Sequence, residues 1–181
     1  MKAISDRILR AKSWQIFCLF AIWCVADVIV MMSVTANDLP FWVVSGLFGF
    51  LFYFWFWSLG SFLNSVVHPR LRLRYGVFCF AVVYPALYVL AFMLFLQNHL
   101  PMLFAVVIPL HLLAMFCMIY PLYFISKNLV LAETGKSASF SDYVGPFFLF
   151  WFFPVGVWFV QPRINRLYAD RYVKPPENRA D

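Results

Sequence analysis

Charge is scarce in this sequence. Asp, Glu, Lys and Arg make up 12% of its 181 residues, too little to cover a water-soluble fold with polar surface. Cysteine is scarce as well. Cys18, Cys24, Cys79 and Cys117 all fall inside apolar runs and form no CxxC pair, which argues against a disulfide framework and against a zinc site. The histidines are His68, His99 and His111, on three different segments, and there is no HExxH or His-rich spacing, so no metal is expected. The few glycines build no phosphate loop, and no cofactor or catalytic constellation is legible.

Apolar residues are what the chain has in quantity. They reach 64%, the aromatic share is 22%, and the mean hydropathy is +0.81. Runs near 20 residues then identify a multi-pass helical membrane protein. Spans are expected at about 14–32, 41–63, 77–96 and 102–125, followed by a shorter apolar segment at 146–160. Together they form a single all-α transmembrane domain over 1–174, with a disordered tail at 175–181. Val34-Thr35-Ala36 resembles a signal-peptidase site. The run before it, Trp14–Met32, is too long for a signal segment and contains Asp27, so it is read as a retained span. Ser139 with Asp142 three residues later reads as a helix start.

The net charge of +6 could suggest nucleic acid. Its distribution argues otherwise, because the 14 Lys and Arg sit in four short blocks beside apolar runs, a pattern of topology determinants and anionic-lipid contacts. With the N-terminus in the cytoplasm, the connections 33–40 and 97–101 lie outside and carry no Lys or Arg. A crossing at 146–160 would place the basic tail outside. That segment is only 15 residues long and holds Pro154 and Gly156, so the expectation is a re-entrant or interfacial segment bent at Pro154-Val155-Gly156. The alternative is a tilted fifth span.

The stretch Phe153-Pro154-Val155-Gly156-Val157-Trp158-Phe159-Val160-Gln161-Pro162-Arg163-Ile164-Asn165, with Phe140-Ser141-Asp142-Tyr143 ahead of it, resembles the ending of small uncharacterised bacterial multi-pass membrane proteins. Their pattern is F-P-[IV]-G-[IV]-W-x-x-Q-P-R-[IL]-N. The resemblance covers about the last quarter of the chain. It implies a bacterial membrane, assigns no activity and transfers no functional residue.

Three polar side chains within the spans are candidates for an intramembrane site. Counted at about 1.5 Å per residue, Asp27, Tyr88 and His111 lie roughly 8, 12 and 14 Å from the outer ends of their spans, so the three could meet. A carboxylate at such depth is a functional hypothesis by default. The plainer reading is that Asp27 ties helices together through a hydrogen bond. Arg70, Arg72 and Arg74 alternate and could project to one side to hold lipid phosphates, or serve as an ordinary cytoplasmic anchor. Gln161, Arg163 and Asn165 are expected in a turn at the membrane surface, where they bind a headgroup or cap the ends of spans two and three near Asn64. Ser45 and Gly49 have small-xxx-small spacing, suited to close approach by another helix, of this protein or of a partner. These features point to a non-enzymatic accessory or assembly protein of a bacterial cytoplasmic membrane. The alternative is a small transporter or lipid-handling protein built around Asp27 and His111.

Overall fold

The computed structural model describes residues 2–33, 39–97 and 104–172. They form seven α-helices: α1 (Lys2–Arg10), α2 (Ser13–Ser33), α3 (Leu39–Val66), α4 (Tyr75–Gln97), α5 (Phe104–Thr134), α6 (Phe140–Trp151) and α7 (Phe153–Tyr172). A 3-10 turn at Pro69–Leu71 joins α3 to α4, and no strand occurs among the described residues. Three helices are long and apolar enough to cross a membrane, over Ser13–Val30, Tyr75–Phe92 and Val106–Thr134. The chain is thus an all-helical protein compatible with multi-pass insertion. Helix α3 has 28 residues and no Asp, Glu, Lys or Arg.

The helix limits differ from the expected spans where polar residues were read as loop. Helix α5 continues nine residues past 125, to Thr134. The reason is local: Ser126 Oγ and Thr134 Oγ1 donate to carbonyls four residues back, at Leu122 and Val130, so their hydroxyls are satisfied inside the helix. At 31 residues α5 is about 46 Å long, well beyond the roughly 30 Å of a hydrocarbon core. Pro85, Pro109 and Pro121 lie inside α4 and α5 without ending them. Of the expected connection at 97–101, Gln97 closes α4 and the rest falls outside the described residues, as does the tail at 175–181.

Helices α2 and α4 lead away from the end of the bundle that collects the basic segments, and α3 and α5 return to it. The core is concentrated at that end. Leu59, Leu63, Phe78, Phe124, Ile125, Leu129 and Ile164 are fully buried there. The Phe78 and Phe124 rings stack with centroids 4.4 Å apart, and Gly60 faces the Phe78 ring so closely that a Cβ would overlap it. Toward the opposite end the helices expose their apolar faces; Ile22 is 68% and Leu112 60% accessible. In lipid such exposure costs nothing, since acyl chains are as apolar as the side chains.

Helix α6 opens on Ser139, whose backbone N–H and hydroxyl both donate to the Asp142 carboxylate, at 2.7 and 2.6 Å. Those bonds, the hydroxyl first, hold the Asp142 carboxyl below its usual range. The helix ends at Phe152 (φ −90°, ψ 53°), whose N–H donates to Phe148 O while its own carbonyl accepts from Val155 and Gly156. The interruption therefore precedes the expected Pro154-Val155-Gly156. Pro154 sits in the first turn of α7, where a missing N–H breaks no helical bond. Helices α6 and α7 pack on one another, and Gly156 lies against the Leu149 backbone.

Candidate functional site

The segment from Gln161 to Asn165 is interior helix, not a surface turn. Pro162 lies within α7, at the cost of the hydrogen bond its N–H would have given Trp158 O. Continuing the helix sets residues four apart on one face, and the contacts follow that period. Gln161 is fully buried. Its Nε2 lies within reach of Ile8 O (3.3 Å), Leu9 O (3.4 Å), Ala11 O (3.2 Å) and Asn165 Oδ1 (3.0 Å). With only two N–H groups it shares them among four acceptors. Asn165 Nδ2 adds a bond to Ala11 O at 3.1 Å.

Gln161 and Asn165 therefore cap α1. A helix leaves its last four carbonyls without partners, and α7 supplies the donors. This corrects the expected cap on spans two and three. Tyr168, further along α7, stands beside Asp6 of α1. Desolvation first, then the Asp6 carboxylate, raises its phenol above the usual range. Arg163 sits half a turn from Gln161 and reaches the other way. Its Nε donates to Glu133 Oε1 at 2.7 Å and its Nη2 to Glu133 Oε2, a bidentate pair that ties α7 to the end of α5.

The three alternating arginines do not act as one comb. Arg72 turns back, with Nε donating to Val67 O (3.0 Å) and Nη2 to Ser65 O (3.2 Å), and so closes the C-terminus of α3 where a cation suits the helix dipole. Arg70 and Arg74 are exposed. Lys127 lies over the rings of Tyr123 and Tyr143, at 5.5 and 5.6 Å from their centroids.

Of the intramembrane candidates, two meet. Tyr88 and His111 share a hydrogen bond of 3.0 Å between the phenol oxygen and Nδ1, and the neighbouring Tyr84 donates to Leu110 O at 3.1 Å. Asp27 is half-buried on α2, which packs against α3 and α7, whereas Tyr88 and His111 belong to the α4–α5 pair. Gly49 is open: a Cβ there would meet nothing within 4 Å. The Ser45 side chain lies outside the described part. No group of three His, Cys, Asp or Glu able to hold a metal occurs among the described residues. Cys18 and Cys24 are exposed, Cys79 is half-buried and Cys117 is buried.

One feature had no counterpart in the sequence reading. A cavity of about 350 Å³ lies between α3, α4, α5 and the α6–α7 junction, with Phe52, Tyr53, Met115, Met118, Trp151 and Phe153 among its lining residues. Its size falls within the range of small-molecule sites.

Comparison with family models, curated proteins and solved structures returned no match.

Proposed function

We propose that this is a non-enzymatic accessory or assembly protein of a bacterial cytoplasmic membrane. In this reading α2 to α5 cross the bilayer, α6 and α7 enter it from the cytoplasmic side and return, and both termini are cytoplasmic. One observation carries it: the polar side chains of Gln161, Asn165, Arg163 and Arg72 join helix to helix or close a helix end. The packing of the α6–α7 junction supports the re-entrant path. Phe153 touches Phe20, Phe52 and Trp55, with centroids 4.6, 5.8 and 5.0 Å away. Counted along the helices, those contacts lie about 10 Å into α2 and about 16 to 21 Å into α3 from the basic end, around the half-thickness of the hydrocarbon core. Cysteine labelling in intact cells should find Ser137→Cys shielded and Ala36→Cys accessible. The opposite result removes the assigned orientation.

The exposed apolar half and the open Gly49 position support a surface for another membrane helix. Purification in mild detergent should retain a stoichiometric membrane partner or a second copy, read by native mass measurement. Gly49→Leu should lose it without loss of fold, since the added side chain enters open space. A bare monomer in wild type, indistinguishable from Gly49→Leu, defeats the assembly reading.

The Tyr88–His111 hydrogen bond favours a second reading, a small transporter or lipid-handling protein with a polar intramembrane site. A solute retained beside His111 in the same native mass experiment distinguishes it.

A further inference from the structure

We propose that the cavity between α3, α5 and the α6–α7 junction is a binding site for one acyl chain of a membrane phospholipid. The site shares with the proposed reading the membrane placement of its helices but not the assembly role; its depth, lining, mouth and size all suit an acyl chain.

Its depth follows from the helices that form it. Met115, Met118 and Leu122 lie in the middle of the Val106–Thr134 stretch and Val82 in the middle of Tyr75–Phe92, both long and apolar enough to span. The space therefore sits among acyl chains rather than headgroups. Its lining offers almost nothing polar. The Tyr53 hydroxyl, the Cys117 thiol and the Trp151 N–H are the only polar side-chain groups among the lining residues. A resident water needs two to four polar partners, so a dry site results. Left empty, its walls would forfeit their dispersion contacts on the open side.

The mouth is lateral. Met115, Met118 and Trp151 line the cavity and are each more than half exposed, at 51%, 61% and 52%. It therefore opens from the side of the bundle toward lipid. Size decides the occupant. An α-helix with side chains is about 10–12 Å across, too broad for 350 Å³, whereas a single flexible chain fits. Two methionines at the entrance adapt to such a chain, because their unbranched side chains repack readily. A chain seated there packs against Phe153 and Trp151 on either side of the Phe152 interruption, and so completes the wall that joins α6–α7 to α3 and α5. The lipid is recognised by its tail.

Full-length protein in vesicles of phospholipid carrying a mid-chain diazirine provides the test. After irradiation, adducts are mapped by peptide mass spectrometry. They should concentrate on Met115, Cys117, Met118 and Trp151, compared with the plainly exposed Ile22, Val25 and Ile29 of α2. Cys117→Phe places a ring in the cavity and displaces a few methylenes, so cavity adducts should fall about tenfold while those on α2 stay constant. Val82→Phe, which fills the cavity from α4, repeats the test should Cys117→Phe fail to fold. Equal labelling of α2 and the cavity in wild type overturns the proposal by itself. So does undiminished cavity labelling in a folded filled variant.

Discussion

Gly156→Ala should be among the most damaging single-atom additions to this protein, costing about 3 kcal/mol, the upper end of ordinary overpacking. A Cβ at 156 would overlap the carbonyl of Leu149, with that residue's Cα only 2.9 Å away. Gly60 gives a useful contrast, because there the obstacle is the Phe78 ring, a side chain that can tilt. At Gly156 the obstacle is backbone, held within α6 and unable to rotate aside. Relief requires α7 to move bodily. Val157 and Val160 would then leave buried positions, and Phe153 would lose its seat against Phe20 and Trp55. Gly145→Ala is the control. Gly145 lies inside α6 with nothing within 4 Å of its would-be Cβ, so alanine there should stabilise by about 0.5–1 kcal/mol through helix propensity. Denaturant or thermal unfolding in detergent separates the two. Equal stability of both variants would show that α6 and α7 do not approach as closely as described.

The contrast between these two glycines also shows what a sequence discloses. Both lie in the same apolar region, and nothing local marks 156 as the crossing point. Features that depend on neighbours in the chain were legible: the Ser139–Asp142 helix start, the apolar extents of α2 and α4, and the crowding of basic residues beside apolar runs. Where polarity stood in for helix ends, the reading stopped short, because Ser126 and Thr134 satisfy their hydroxyls on their own helix. Pro162 misled in the opposite way. One lost backbone bond was read as a turn, but a turn would break the four-residue spacing that sets Gln161 and Asn165 side by side. Helix α1 was hidden by its charge. Lys2, Arg7 and Arg10 were read for topology, while Ile8 and Leu9 on the same nine residues carried the packing. The cavity was not legible at all, since its walls come from segments spread over about a hundred residues.

Gln161→Leu should release α1 while leaving the α4–α5 pair intact. The substitution keeps most of the volume and removes both N–H donors, so the carbonyls of Ile8 and Leu9 lose the side-chain donor they share. Leaving buried acceptors unpaired costs about 1–3 kcal/mol. The lower half of that range is expected, because Gln161 Oε1 is itself buried without a partner and its removal gives some relief. The consequence for α1 is out of proportion to that figure. A helix of nine residues is too short to persist in water by itself, so its helicity depends on docking against α3 and α7. Once the cap is gone, Leu9, which is 3% exposed, and Ile8 beside it have little to hold them in place. Hydrogen exchange of reconstituted protein should therefore show faster exchange over residues 5–12 in Gln161→Leu, with α4 and α5 unchanged. Gln161→Glu should be worse, since it aims a carboxylate at carbonyl oxygens in a buried site. Arg163→Gln should do far less, about 0–1 kcal/mol, because its partner Glu133 lies at an exposed edge where salt screens the pair. Continued protection of residues 5–12 in Gln161→Leu would mean that apolar packing alone holds α1, and that the Gln161–Asn165 cap is incidental to the fold.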